Sequence, residues 1–285
     1  MKRLAPQSVE SRLHQLAQHA TDCLIEEVNL TPKPGLVDRR GSGAHQDLTL
    51  ALMERSARSL TPTFMALAQQ SWLRPADVAL RETIGRLGRE GERQMMVATA
   101  GVNTHRGAIW ALGLLVSAAA MQGGYASSKV LCATAAELAQ LPDRAAPKTF
   151  SKGLRAVHRF QVPGAREEAQ QGFPHIRQLA LPQLWRSRRA GAAENAARLD
   201  ALMAIMTSLS DTCVLNRAGL EGMQTMQRGA HAVLQAGGYA TSAGRAALEQ
   251  LDSAMLALNA SPGGAADLLA ATLFIDRLSA SPLID

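Results

Sequence analysis

Aromatic residues are scarce, with five Phe, three Trp and two Tyr in 285 residues. No stretch interleaves them with basic residues, which excludes the stacking platform of a single-strand nucleic-acid binder. Nucleic acid is therefore not expected as a partner. Cysteine is equally sparse. Cys23, Cys132 and Cys213 stand singly, with no CxxC and no Cys/His spacing suited to zinc. That excludes a disulfide framework and suits a reducing, cytoplasmic setting. Valine and isoleucine are few beside Ala, Leu and Met, which argues against extensive sheet. The longest apolar run, AIWALGLLVSAAAM, falls short of the roughly 20 residues of a membrane span. MKRLAPQSVESRL is basic but carries no apolar run of the secretory-leader kind.

What is present is helix-forming mass and positive charge. Hydrophobic residues make up 47% of the chain, and the formal net charge is +6. Arginine supplies most of the positive charge, and its planar fork suits phosphate oxygens. Leu13, Leu16, Ala17, Ala20, Leu24 and Val28 recur at helical spacing and predict a first amphipathic helix. Further helices are expected over 46–59, from Thr61-Pro62, from Pro75 to Leu87, and over 90–100. Asn103 and Thr104 are expected to cap a very apolar, central helix that stops at Gly123-Gly124. A helix over 127–141 follows, then a less regular region over 142–191. Long helices resume over 192–209, 218–236, 242–260 and 265–278. No linker divides the chain, so residues 1–285 are expected to form a single compact multi-helix domain of the all-α class.

Four polar stretches interrupt the helical pattern: EEVNLTPKPGLVDRRGSGAHQD, GVNTHRG, SDTCVLNRAG and NASPGGAADLL. Each joins small or glycine residues to Asp, Asn, His or Arg beside a helix start. The free N–H groups of helix starts bind anions. Converging starts could cradle a polyphosphate, and carboxylates among them could hold a divalent cation. Glu26-Glu27 closes the first helix against its dipole, so a cation or arginine nearby is expected.

TPKPGLVDR, GVNTHRGAIW, GAREEAQQGFP, DTCVLNRAG and SPGGAADLLAATLF occur in that order. In this the chain resembles the triphosphoribosyl-dephospho-CoA synthase family, from about Glu26 to Phe274. It departs from the family pattern at RRGSGAHQD, at Glu167, at Cys213 and at Ala218. The resemblance implies transfer of the triphosphoribosyl group of ATP to the 2'-hydroxyl of 3'-dephospho-CoA, with release of adenine. The product would pass to a holo-acyl-carrier-protein transferase serving malonate decarboxylase or citrate lyase. The other readings are a Mg-dependent glycosidic hydrolase of the ADP-ribosyl type and a non-catalytic nucleotide-binding helical module.

With that resemblance, Mg²⁺ is expected as cofactor, held by Asp47 and Asp211. Glu27 is the first choice as general base, with Asp38 behind it. His45 and His105 are candidates for phosphate contact or leaving-group assistance. Lys33, Arg106 and Arg217 are expected on the triphosphate. Asn103, Ser261, Gly263 and Gly264 are expected on the nucleotide, and Asp267 on a ribose hydroxyl or an arginine. An apolar helix face could pack within the chain or across a homodimer.

Overall fold

The computed structural model describes residues 8–146 and 152–279. Its helices are α1 (Val9–Asn29), α2 (Leu50–Ser59), α3 (Thr61–Ser71), α4 (Val78–Ala98), α5 (Arg106–Met121), α6 (Ser128–Gln140) and α7 (Lys152–Phe160). They continue with α8 (Ala165–Gln170), a π-helical stretch His175–Ala180, α9 (Leu181–Arg189), α10 (Glu194–Met206), α11 (Thr212–Gln235), α12 (Ser242–Ala257) and α13 (Gly263–Ser279). Among the described residues there is no strand, as the shortage of β-branched residues predicts. No described helix is long and apolar enough to cross a membrane.

Three helices with few polar residues, α5, α10 and α13, form the interior. In α5 every residue from Ala111 to Ala120 is buried. Its alanines and glycines let α1, α3, α4, α6 and α13 approach closely on several sides. Helix α13 packs against α1, α5, α10 and α11. One hydrophobic core consequently runs from Leu13 to Leu278. Each fully buried leucine in it, such as Leu112 or Leu202, stabilises the fold by roughly 1.5–3 kcal/mol. The amphipathic helices wrap this interior, with α12 laid along α11.

Several boundaries differ from expectation, each for a local reason. The two helices expected over 75–100 are one, α4, capped by Asp77 rather than started at Pro75. Gly91 continues α4 because Thr63 occupies the space a side chain would need, 2.5 Å from an added Cβ. Thr61 is already helical, and its hydroxyl pairs with Thr21 instead of capping α3. Neither Asn103 nor Thr104 caps α5; His105 sits at that position without a side-chain cap bond, while Thr104 pairs with Ser56. Helix α11 begins at Thr212, six residues early, and is broken at Gly219, whose φ of 61° is left-handed. The expectation that Glu26-Glu27 attracts cations is met. Glu26 is engaged by Arg277 and Arg198, and Glu27 by Lys33.

Candidate active site

The loop after α1 is assembled by its own charges. Two prolines end helical pairing, and the chain turns back on itself. The Lys33 ammonium donates to the Glu27 carbonyl at 2.6 Å and to Glu27 Oε1 at 2.5 Å. Lys33 is 1% exposed and Glu27 4%. A charge this deep persists only when paired. Burial raises the Glu27 carboxyl above its ordinary range, and Lys33 works against that rise. Among the described residues Glu27 Oε2 has no hydrogen-bond partner.

Asp38 locks the same loop. Its carboxylate accepts the Lys33 N–H at 2.9 Å and the Arg40 N–H at 2.7 Å. Arg40 then bridges Asp38 to Asp252, which also accepts the Gly35 N–H at 2.9 Å. Gly35 has φ of 66°, and an added Cβ would lie 2.3 Å from the Ala260 carbonyl. No other residue fits there without moving the start of α13.

Two carboxylates tie three helix starts together. Asp211 caps α11 through Oδ1, which accepts from Cys213 N at 2.8 Å and Val214 N at 3.2 Å. Its Oδ2 accepts from Ala265 N at 2.9 Å, in the first turn of α13. Asp267, in the same turn of α13, lies over Gly107 and accepts from the Ala108 N–H at the start of α5. The N-termini of α5, α11 and α13 therefore meet around two acids. Desolvation, then the charges of Glu27 and Asp211, push the Asp267 carboxyl well above its usual range. Asp211 is also raised by burial, against the pull of its N–H donors. Both acids are thus easier to protonate than free carboxylates.

His105 lies under the same group. Its Nδ1 is 2.8 Å from Ser56 Oγ, and its Nε2 is buried without a partner. Burial and then the Lys33 charge lower its pKa to about 4, so the ring is neutral at physiological pH.

An open cavity lies beside these acids. Gly107, Asp211, Gly264 and Asp267 line it. So do Trp110, Glu168, Phe173, His175, Ser208 and Ser210.

The remaining expected residues are placed differently. His45 and Arg217 form a tie between loops. His45 Nε2 is 2.8 Å from Ser261 Oγ, and its Nδ1 is 3.1 Å from Arg217 Nη1. Arg217 also donates to both Asn259 oxygens and to the Ala44 carbonyl. Its fork is thus largely spent inside the protein. Burial and then the Arg217 charge lower the His45 pKa, with Asp47 opposing. Lys33 is turned inward and does not reach out for phosphate. Arg106 pairs with Glu92, and Asn103 is exposed. Gly263 packs near Cys213 Sγ, 3.2 Å from an added Cβ.

The expected metal pair needs correction. Asp211 spends its oxygens on backbone N–H groups of two helices, while Asp47 is 68% exposed and 3.8 Å from His45. Among the described residues no three His, Cys, Asp or Glu side chains are grouped to hold a metal. Asp47 and Asp211 therefore do not fit a shared Mg²⁺ site. Asp38 is likewise committed to the loop and does not fit the role of reserve base.

Sequence reading missed Glu168 and His175. His175 Nδ1 lies 2.7 Å from Glu168 Oε2, and the His175 N–H donates to Glu168 Oε1 at 3.0 Å. The only sequence signal was the motif GAREEAQQGFP, followed at once by His175. The divergent Glu167 has a structural role: its carboxylate accepts the Gly164 N–H at 2.9 Å and caps α8.

Buried acids, a neutral histidine and an acid–imidazole pair around an open cavity, all on an all-helical scaffold, define an enzyme active site at converging helix starts. The family of ATP:dephospho-CoA triphosphoribosyl transferases matches residues 13–283, and the chain belongs to that family. It is 72% identical over 279 residues to the Klebsiella pneumoniae protein named 2-(5''-triphosphoribosyl)-3'-dephosphocoenzyme-A synthase, covering 98% of this chain and 100% of that one. A Pseudomonas savastanoi pv. phaseolicola relative named "Probable 2-(5''-triphosphoribosyl)-3'-dephosphocoenzyme-A synthase" is 60% identical, over 97% of this chain and 95% of its own. The fold is shared with an Archaeoglobus fulgidus chain whose crystal structure is ascribed to a triphosphoribosyl-dephospho-CoA synthase. There the TM-score is 0.51 at 17% identity, over 79% of this chain and 98% of the other.

Proposed function

We propose that this chain moves the 5-triphosphoribosyl group of ATP onto the 2'-hydroxyl of 3'-dephospho-CoA and releases adenine. The observation that carries the reading is the meeting of the α5, α11 and α13 starts around Glu27, Asp211 and Asp267, beside an open cavity. Helix starts favour the triphosphate. The buried acids stand where positive charge grows on the ribose as the glycosidic bond breaks. Glu27, raised by burial and with a free Oε2, takes the proton of the attacking hydroxyl. Lys33 favours the charged form of Glu27 and holds it in place. Asp267 sits where it can hold a ribose hydroxyl, and neutral His105 is a hydrogen-bond partner for sugar or phosphate. Gly263 and Gly264 at the start of α13, with Ser261 before them, form the nucleotide side.

Mg²⁺ enters this proposal as a companion of the ATP phosphates, and no step depends on a protein-held ion. The product is the prosthetic-group precursor of malonate decarboxylase or citrate lyase, handed to a holo-acyl-carrier-protein transferase in the cytoplasm.

The test is mass spectrometry of a mixture of ATP, Mg²⁺ and 3'-dephospho-CoA with the full chain. One adenine per molecule of dephospho-CoA enlarged by a triphosphoribosyl group is expected. Adenine without the enlarged product would mean hydrolysis, and no adenine would mean a binding module.

A further inference from the structure

The transfer reaction needs a proton donor for adenine, and neither histidine expected to help lines the cavity. His105 is buried, and both ring nitrogens of His45 are taken up by Ser261 and Arg217. The Glu168–His175 pair remains. It lines the same cavity as Asp211 and Asp267. Glu168 is 8% exposed and holds His175 twice, through the backbone N–H and through Nδ1. A carboxylate on Nδ1 fixes the tautomer and the orientation of the ring. Among the described residues His175 Nε2 has no hydrogen-bond partner. Beside it, Trp110 is pinned by its Nε1–H to the Ala165 carbonyl at 3.0 Å. Trp110, Leu209 and Leu268 give the cavity an apolar side of the kind that accepts a flat heterocycle.

We propose that His175 is the catalytic acid for the leaving purine, that Glu168 is its positioning residue, and that the purine lies against Trp110. The proposal rests on the transfer reading above. As the bond from C1'' to the purine nitrogen breaks, its electron pair goes to the base. The Nε2 proton of His175 passes to a ring nitrogen of the base, leaving a neutral imidazole whose Nδ1–H still faces Glu168. The 2'-oxygen bonds to C1'', and its proton goes to Glu27. Solvent then returns a proton to His175 and takes one from Glu27, so the cycle closes.

The experiment measures single-turnover adenine release by His175→Gln and Glu168→Gln, each with ATP and with an ATP analogue methylated at purine N7. The methylated base leaves as a neutral molecule and needs no acid. With ATP, His175→Gln should slow release by about 10²–10⁴-fold, and Glu168→Gln by a smaller factor. With the methylated substrate both variants should stay within about tenfold of wild type, since only the acid contribution is removed. A second reading is the pH profile with ATP: the alkaline fall in rate should vanish in His175→Gln. The other titratable groups lining the cavity, Glu168, Asp211 and Asp267, are untouched in that variant. Equal losses on both substrates would overturn the proposal. If wild type refuses the methylated substrate, an alkaline fall that persists in His175→Gln would overturn it. Wild type that releases no adenine from ATP would instead overturn the transfer reading itself.

Discussion

The two sides of the active site are built on opposite plans. On the α1 side, Lys33, Asp38, Arg40, Asp252, His45 and Arg217 spend nearly all their polar atoms on one another or on nearby backbone. On the cavity side, His175 Nε2 is open and Asp267 faces other acids. Buried charges that are fully paired hold geometry, whereas unpaired groups are free to act on a ligand. Glu27, on the α1 side, is only half committed, with Oε1 bound to Lys33 and Oε2 without a partner among the described residues.

Breaking the paired side should have the largest effect. Lys33→Met strands the Glu27 carboxylate in the interior, and removing one member of a buried pair costs about 3–5 kcal/mol. Thermal or urea unfolding should show that loss. Glu27 should then take up a proton, so adenine release should also fall. Unchanged stability would mean that the pair does not support the loop.

Gly107→Ala sharpens the contrast from the cavity side. The added Cβ would lie 2.1 Å from Asp267 Oδ2. Asp267 must leave the α5 start, and a displacement of about 1 Å at a reacting group costs on the order of 10²-fold in rate. Overpacking should lower stability by about 1–3 kcal/mol. Parallel kinetics and melting would check this. A normal rate would separate Asp267 from the chemistry.

His105 predicts a signature in acid. Its folded pKa of about 4 lies below the ordinary 6.5, so the unfolded chain takes up the proton first. The stability it contributes is complete above pH 6.5 and drains as pH falls towards 4, by roughly 3 kcal/mol in all. Glu27, Asp211 and Asp267 have raised pKa values and act in the opposite sense, losing stability as pH rises above the ordinary carboxylate range. Subtracting the unfolding profile of His105→Gln from that of wild type isolates the histidine. A flat difference would contradict the burial argument.

The smallest effect is expected at Arg217. It is exposed, so Arg217→Ala should cost no more than about 1 kcal/mol in unfolding. Freed loops around Ala44 and Asn259 should raise the KM for ATP more than they lower kcat. Steady-state kinetics would show the split.

Much of the fold was legible because a buried helix face repeats every three or four residues, as in Leu13 to Val28 and throughout α5. The errors fell where local signals conflict with packing. Gly88 and Gly91 look like a break in α4, yet Thr63 fills the space beside Gly91. Gly219 does interrupt α11, and the helix had already begun at Thr212 under an Asp211 cap, a reading the dipeptide Asp211-Thr212 allows. In the site, Glu27, His105, Asp211 and Asp267 were found through motifs in a fixed order. Their roles were less visible. Asp211 looks like a metal ligand until Ala265, 54 positions away, is seen to donate to it. Lys33 points inward because Glu27 is within reach once the prolines turn the chain. Glu168 and His175 are seven residues apart across a turn, with no helical or strand period to link them.

The most direct test uses Glu27→Gln, which keeps shape and hydrogen bonding but removes the base. Equilibrium binding of ATP should be measured beside single-turnover adenine release in the presence of 3'-dephospho-CoA. ATP binding close to wild type with release slowed by about 10²–10⁴-fold is the predicted result. Wild-type release from the variant, or loss of ATP binding alone, would contradict the assignment of Glu27 as the base at the meeting of three helix starts.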